Sequence, residues 1–423
     1  MNSEFKTVDW ARSANIYEVN VRQYTKEGTF NAFAEHLPRL HDMGIKILWF
    51  MPIHPVGEIK RIGSLGSYYS IKDYKAVNPE FGSIDDFKKL VNVAQQMGFR
   101  VIIDWVANHT SWDHVWTVNH KDYYELDEKG NLKSPYDWED VVQINHSSIP
   151  QQDAMIEAMQ FWLDECKLDG FRCDMAHLIP LDFWKRARKE LEVKKPLFWL
   201  AETEDPAYHE VFDATYTWEF LHKMEQYSRL QTDTAGLDAV LYGYNDRFPQ
   251  DAIRAYFTSN HDENSHSGSE YERLGDAAKL FAVLCAMWNG VPLIYSGQEL
   301  PNRKRLKFFD KDEIEWSDNC ELHGFYKTLL NLHTTNPALS AGDDKVVTYR
   351  LQTSDSRVFC FLRRSNNHEV LVILNLTPGW ISFSINDPAV TGIYKNIFAG
   401  TEEMEVNNFL FHFSAWDFKV FEK

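Results

Sequence analysis

Cysteine is scarce and carries no pattern. The five residues fall at 166, 173, 285, 320 and 360, an odd number with no CxxC pair. That spacing excludes a full disulfide framework and a thiolate metal cluster, and leaves buried free thiols. Positive charge is also short. Lys and Arg number 44 against 62 Asp and Glu, and the net charge of −18 argues against nucleic acid or an anionic membrane as partner. Long apolar runs are missing. The longest, residues 280–288, is too short to cross a bilayer and runs into Asn289, Gly290 and Pro292. The start of the chain, residues 1–10, is polar and lacks the apolar core of a signal peptide. The chain as given therefore reads as cytoplasmic, or as secreted or periplasmic if a leader has been removed. No glycine-rich phosphate loop follows the first strand, which counts against a doubly wound open sheet.

What is present is a core and an alternation. Hydrophobic residues make up 44% of 423, enough for two or three domains or for one large barrel with additions. Apolar segments with strand character fall at residues 16–24, 47–51, 101–106, 171–174, 198–202, 214–217, 255–259 and 291–295. Between them, helical periodicity predicts helices over residues 30–43, 84–97, 153–166, 180–191 and 271–288, with Gly44 and Gly98 as stops and Ser83 as an N-cap. Strands separated by helices imply parallel pairing with crossovers. The expected fold is α/β, a (β/α)8 TIM barrel. Two segments break the pattern. Residues 107–150 contain Trp112, Trp116, Tyr123, Tyr124, Tyr136 and Trp138 and no clear helix, and a loop of that length is usually functional. After Pro337 the chain reads as short alternating strands at 346–351, 358–363, 369–376, 380–385 and 409–421, an antiparallel β-sandwich. The division is thus barrel (1–106), insert (107–150), barrel (151–337) and C-terminal sandwich (338–423).

Barrel enzymes carry their chemistry at the C-terminal ends of the strands. There the sequence places Asp104, Asn108 and His109 after the third strand, Arg172 and Asp174 on the fourth, Glu202 after the fifth, and His261 and Asp262 after the seventh. Period-two alternation puts Arg172 and Asp174 on one face and turns Cys173 away as inert packing. Retaining glycoside hydrolysis needs two carboxyl groups about 5–5.5 Å apart, which adjacent barrel strands can supply. Asp174 and Glu202 are neighbours in barrel order. Arg172 would keep Asp174 ionised, and the apolar run before Glu202 suits a proton donor.

These motifs match a family. Asp104-Trp-Val-Ala-Asn108-His109, Gly170-Phe-Arg172-Cys-Asp174, Glu202 behind its apolar strand, Phe257-Thr-Ser-Asn-His261-Asp262 and Val291-Pro-Leu-Ile-Tyr-Ser-Gly-Gln-Glu299 occur in the order of the α-amylase family of retaining glycoside hydrolases, family thirteen, which the chain resembles from about residue 15 to 420. The resemblance implies that Asp174 is the nucleophile, Glu202 the general acid and base, and Asp262 the carboxylate that binds the distorted sugar. It implies that His109 and His261 bind the same sugar, that Arg172 positions Asp174, and that Tyr69 stacks on the sugar, with Tyr68 the weaker choice. Asp104 is expected to serve structure. The implied substrates are α-1,4-glucans such as starch and maltodextrin. A transglycosylase or a disaccharide-active member is the first alternative, and a non-catalytic carbohydrate-binding homologue the second.

Two places depart from the family. Many members bind a structural Ca2+ between barrel and insert. Asn108 matches one ligand, but Gln143 stands where an aspartate is usual, and a neutral amide is a poorer ligand for a hard cation. The chemistry itself needs no cofactor. His177 and Leu178 stand where the family often has Lys-His, so His177 is expected to take over part of a leaving-group subsite.

Overall fold

The computed structural model describes residues 5–317, 319–400 and 403–423. Eight parallel strands close into a barrel: β1 (Ile16–Val19), β2 (Ile47–Phe50), β3 (Arg100–Trp105), β6 (Gly170–Cys173), β7 (Phe198–Ala201), β8 (Ala214–Tyr216), β9 (Ile253–Tyr256) and β10 (Val291–Tyr295). The short strands β4 (His109–Ser111) and β5 (Val141–Gln143) lie off the barrel and pair antiparallel with each other, framing the insert. The insert also holds a short helix, Val115–Asn119, and a 3-10 turn, Lys121–Tyr123, where the sequence shows no clear helix. No helix among the described residues is long and apolar enough to cross a membrane.

Several boundaries differ from the sequence reading, each for a local reason. β1 stops at Val19 instead of running to Tyr24, because the Asn20 side chain accepts from Gln23 N and caps a short helix, Val21–Tyr24. The helix expected over 30–43 is two helices, Phe30–Ala34 and Leu37–Met43. Pro38, which has no N–H to give, sits in the first turn of the second. Gly44, at φ 91°, ends it. The helix after β9 breaks likewise at Gly275, between Glu270–Leu274 and Ala278–Met287. β9 itself starts two residues earlier than read and ends three earlier. Thr258 leaves the ladder to bond Glu270 and Gln298 through its hydroxyl. Ser83 does cap its helix, in a reciprocal pair with Asp86.

The C-terminal part is a six-stranded antiparallel sheet facing a two-stranded one. β11 (Val347–Arg350), β12 (Val358–Ser365), β13 (His368–Asn375), β15 (Ile393–Asn396), β16 (Glu403–Glu405) and β18 (Phe418–Glu422) form the first, and β14 (Ile381–Ser384) and β17 (Leu410–Phe413) the second. The strand read at 409–421 is thus two strands, turning at Trp416 with φ 54°. β12 and β13 are apolar on both faces. Phe359 and Phe361 belong with the barrel core, whereas Cys360 and Leu362 belong with the sandwich core. Period two sorts them.

Strand register positions the site. Cys173 and Ala201 pair directly across β6 and β7, so the next residues, Asp174 and Glu202, leave the barrel at one level. At the other end of the same pair, Gly170 lies against Phe198. A Cβ there would sit 1.9 Å from the Phe198 carbonyl oxygen, so only glycine permits this approach.

Candidate active site

Arg172 is the hub. Its guanidinium is fully buried and touches three carboxylates: Nη1 lies 2.9 Å from Asp104 Oδ1 and 3.1 Å from Asp174 Oδ1, and Nη2 lies 2.8 Å from Glu202 Oε2. The Trp49 ring lies under it at 4.8 Å. Asp104 also accepts from the Tyr69 hydroxyl at 3.0 Å, the structural role expected of it. Glu202 is held further by the Met175 backbone N–H, which donates to Oε2 at 2.9 Å.

Arg172 favours the ionised form of Asp174, in the direction expected of it, but its charge is shared. Burial pushes the Asp174 carboxyl well above the usual range, the neighbouring Glu202 adds to that, and Arg172 only opposes it. One cation divided among three carboxylates cannot fully satisfy each of them.

Across the site, His261 sits between carboxylates. Nδ1 faces Glu18 Oε1, and Nε2 lies 2.7 Å from the Tyr69 hydroxyl and 3.3 Å from Asp262 Oδ2. Burial works against the charged imidazole, but Asp262 and Glu18 overcome it and raise the His261 pKa. Partial desolvation at the cavity wall works against the ionised Asp262, and His261 with Arg172 overcomes it, leaving that carboxyl below its usual value. The Asp262 side chain is 41% exposed, so it is free to meet a ligand, while the His261 beneath it is not. His109 is lowered to about 4 by burial and is a neutral imidazole, its ring against the edge of Trp138 at 5.4 Å.

These groups meet in a cavity of about 550 Å3. Asp174, Glu202, Asp262, His109 and Tyr69 line it, together with Trp138, Asp137 and Glu139 from the insert and Ile62, His266, Phe308 and Phe309 from the rim. Arg172 and His261 lie behind that lining and act on it through their partners. Tyr68 is buried over Arg22 at 4.1 Å and does not line it. His177 is exposed in a 3-10 turn, Ala176–Leu178, and does not line it either. Sequence reasoning missed Glu18, Ile62, His266, Phe308 and Phe309. For Glu18 the signal was there, a charged residue inside an apolar strand.

A model of the alpha-amylase catalytic domain matches residues 5–146 and 139–321, most of the barrel and the insert. The chain belongs to the α-amylase family of glycoside hydrolases. Similar solved structures include an α-amylase from Lactobacillus plantarum, 27% identical at TM-score 0.88 with 98% of this chain and all of that one covered. A noncanonic maltogenic α-amylase from Thermotoga neapolitana is 28% identical at TM-score 0.88, with 97% and 99% covered. The α-amylase MalA of Haloarcula japonica is 27% identical over 86% of this chain, and the chain spans 56% of that protein's length. The (β/α)8 barrel with its C-terminal sheets is the architecture shared with these α-amylase-family structures.

The calcium position of α-amylase-family members meets a misfit here. The Gln143 amide nitrogen donates to Asn108 Oδ1 at 3.0 Å, to the Asn108 carbonyl at 3.1 Å and to the Ile144 carbonyl at 3.3 Å. The Asn108 and Ile144 oxygens that a hard cation would take are here engaged by the Gln143 amide N–H, a donor. Asn108 also donates to His109 Nδ1 at 3.2 Å, so it orients an active-site imidazole.

Proposed function

We propose that the chain hydrolyses α-1,4-glucosidic bonds of starch-like glucans and maltodextrins with net retention, through a covalent glucosyl–Asp174 intermediate. The observation that supports this most is the register of β6 and β7. It delivers Asp174 and Glu202 side by side at the rim, both on one buried guanidinium and both facing the same cavity. In the first step Asp174 attacks the anomeric carbon while Glu202 gives its proton to the departing glycosidic oxygen. In the second, Glu202 takes a proton from water, whose oxygen displaces Asp174 from the same carbon. Asp262 and His109 hold the sugar hydroxyls, and Tyr69 is the platform beneath the ring. Trp138, Phe308 and Phe309 supply the apolar wall that a glucan face can stack on. No metal enters either step. On this reading His177, outside the cavity lining, serves at most a subsite beyond the reacting sugar.

The test is the product profile from a linear α-1,4-glucan oligosaccharide, by chromatography, beside Asp174→Asn. Shorter maltooligosaccharides that vanish in the variant are the expected result, with a loss of about a thousandfold or more in kcat. Longer products beside the shorter ones would move the assignment to transglycosylation. No turnover by folded wild-type protein would sink the α-1,4 assignment.

A further inference from the structure

Glu18 has no exposed surface and stands inside the barrel on β1. Its Oε1 faces His261 Nδ1, and its Oε2 has no hydrogen-bond partner. A carboxylate so placed costs stability unless a cation answers it. Arg172 is near but is already matched by Asp104, Asp174 and Glu202. The other charged or titratable groups facing the pair are Tyr69, Tyr216, Asp262, Tyr295 and His266. None of these is placed to answer Glu18.

The hydrogen-bond geometry then bears on the protons of His261. With the single Tyr69 hydroxyl hydrogen given to the Asp104 carboxylate, that oxygen can only accept from His261. Asp262, beside it, can also only accept, so Nε2 must carry a hydrogen. An ionised Glu18 makes the same demand of Nδ1. We propose that Glu18 is a positioning residue that keeps His261 an imidazolium, so that a charged Nε2–H stays aimed at Asp262 while the sugar reacts. This rests on Asp262 being the sugar-binding carboxylate. Burial of Glu18 raises its own pKa, and His261 and Arg172 oppose that rise, in keeping with an ion pair at this position.

Two measurements test this. The first needs no variant. The 15N resonances of His261, identified by their loss in His261→Gln, should show both ring nitrogens protonated well above the ordinary histidine pKa of about 6.5. One bare nitrogen at neutral pH, or the proton residing on Glu18, would overturn the proposal. The second is the pH profile of Glu18→Gln, which keeps the shape and removes the charge. His261 should now titrate nearer its ordinary value. The alkaline limb of kcat/KM should move to lower pH, with a loss of about ten- to hundredfold at the alkaline end, the size of one charge-assisted hydrogen bond, and little loss at the acid end. A parallel drop at every pH means a packing role only and overturns it, as does an unchanged profile. If wild-type protein proves inactive on glucans, the functional reading fails, and the 15N titration still decides the role of Glu18.

Discussion

At the scale of single residues, the site is short of positive charge. Asp174 is the group that suffers for it, and the consequence is measurable as stability. Its folded pKa is raised, so between the ordinary carboxylate value and the raised one the folded state holds a proton that the unfolded chain has lost. Stability therefore falls as pH rises through that window, and the deficit persists above it. Asp174→Asn removes the deficit. The variant should melt about one to three degrees above wild type at neutral pH, on the order of 1–3 kcal/mol, with the gap closing toward about pH 3–4. Scanning calorimetry across pH checks it, and a variant less stable than wild type at neutral pH would contradict it. The strand alternation made Arg172 and Asp174 legible in sequence, and the apolar run made Glu202 so. How one guanidinium is divided among three carboxylates was not legible, because that depends on the register of β3, β6 and β7. Phe308 and Phe309 were hidden for a different reason: they reach the cavity from a loop whose path no local pattern records.

At the scale of elements, the expectations held where punctuation was unambiguous. β10 runs Val291–Tyr295 as read, bounded by Gly290 and Ser296. They slipped where apolar periodicity ran through a breaker, as at Pro38 and Gly275, or where a strand is as short as β15 and β16. The β4–β5 ribbon carries an element-level prediction. With the Gln143 amide seated among the Asn108 and Ile144 oxygens, the melting temperature should be the same in EDTA and in millimolar Ca2+. Gln143→Asp replaces that donor with a carboxylate. It should be less stable than wild type in EDTA, by about 1–3 kcal/mol for the oxygens left without a donor, and should recover when Ca2+ is added. A wild-type protein that loses several degrees in EDTA would show that a cation is bound there after all.

For the molecule as a whole, one face of the C-terminal sandwich joins the barrel's core while the other closes a core of its own. Phe361 packs on Trp288 at 4.9 Å, just before β10 begins and at the opposite end of the barrel from the cavity. Phe361→Ala should cost about 3–5 kcal/mol in urea unfolding, with kcat and KM unchanged at a temperature where the variant stays folded. A change in KM would mean the two ends of the barrel are coupled. The alternation that announces a barrel was visible along the chain, but the two-sided burial of β12 and β13 was not, since an all-apolar strand does not say what covers each face. The contact between Gly170 and Phe198 lies at the foot of β6 and β7, one strand length below Asp174 and Glu202. It means that the level at which nucleophile and proton donor leave the barrel depends on an atom that is not there. A methyl group at residue 170 would act as a wedge at the foot of the two strands and disturb the register that brings Asp174 and Glu202 level.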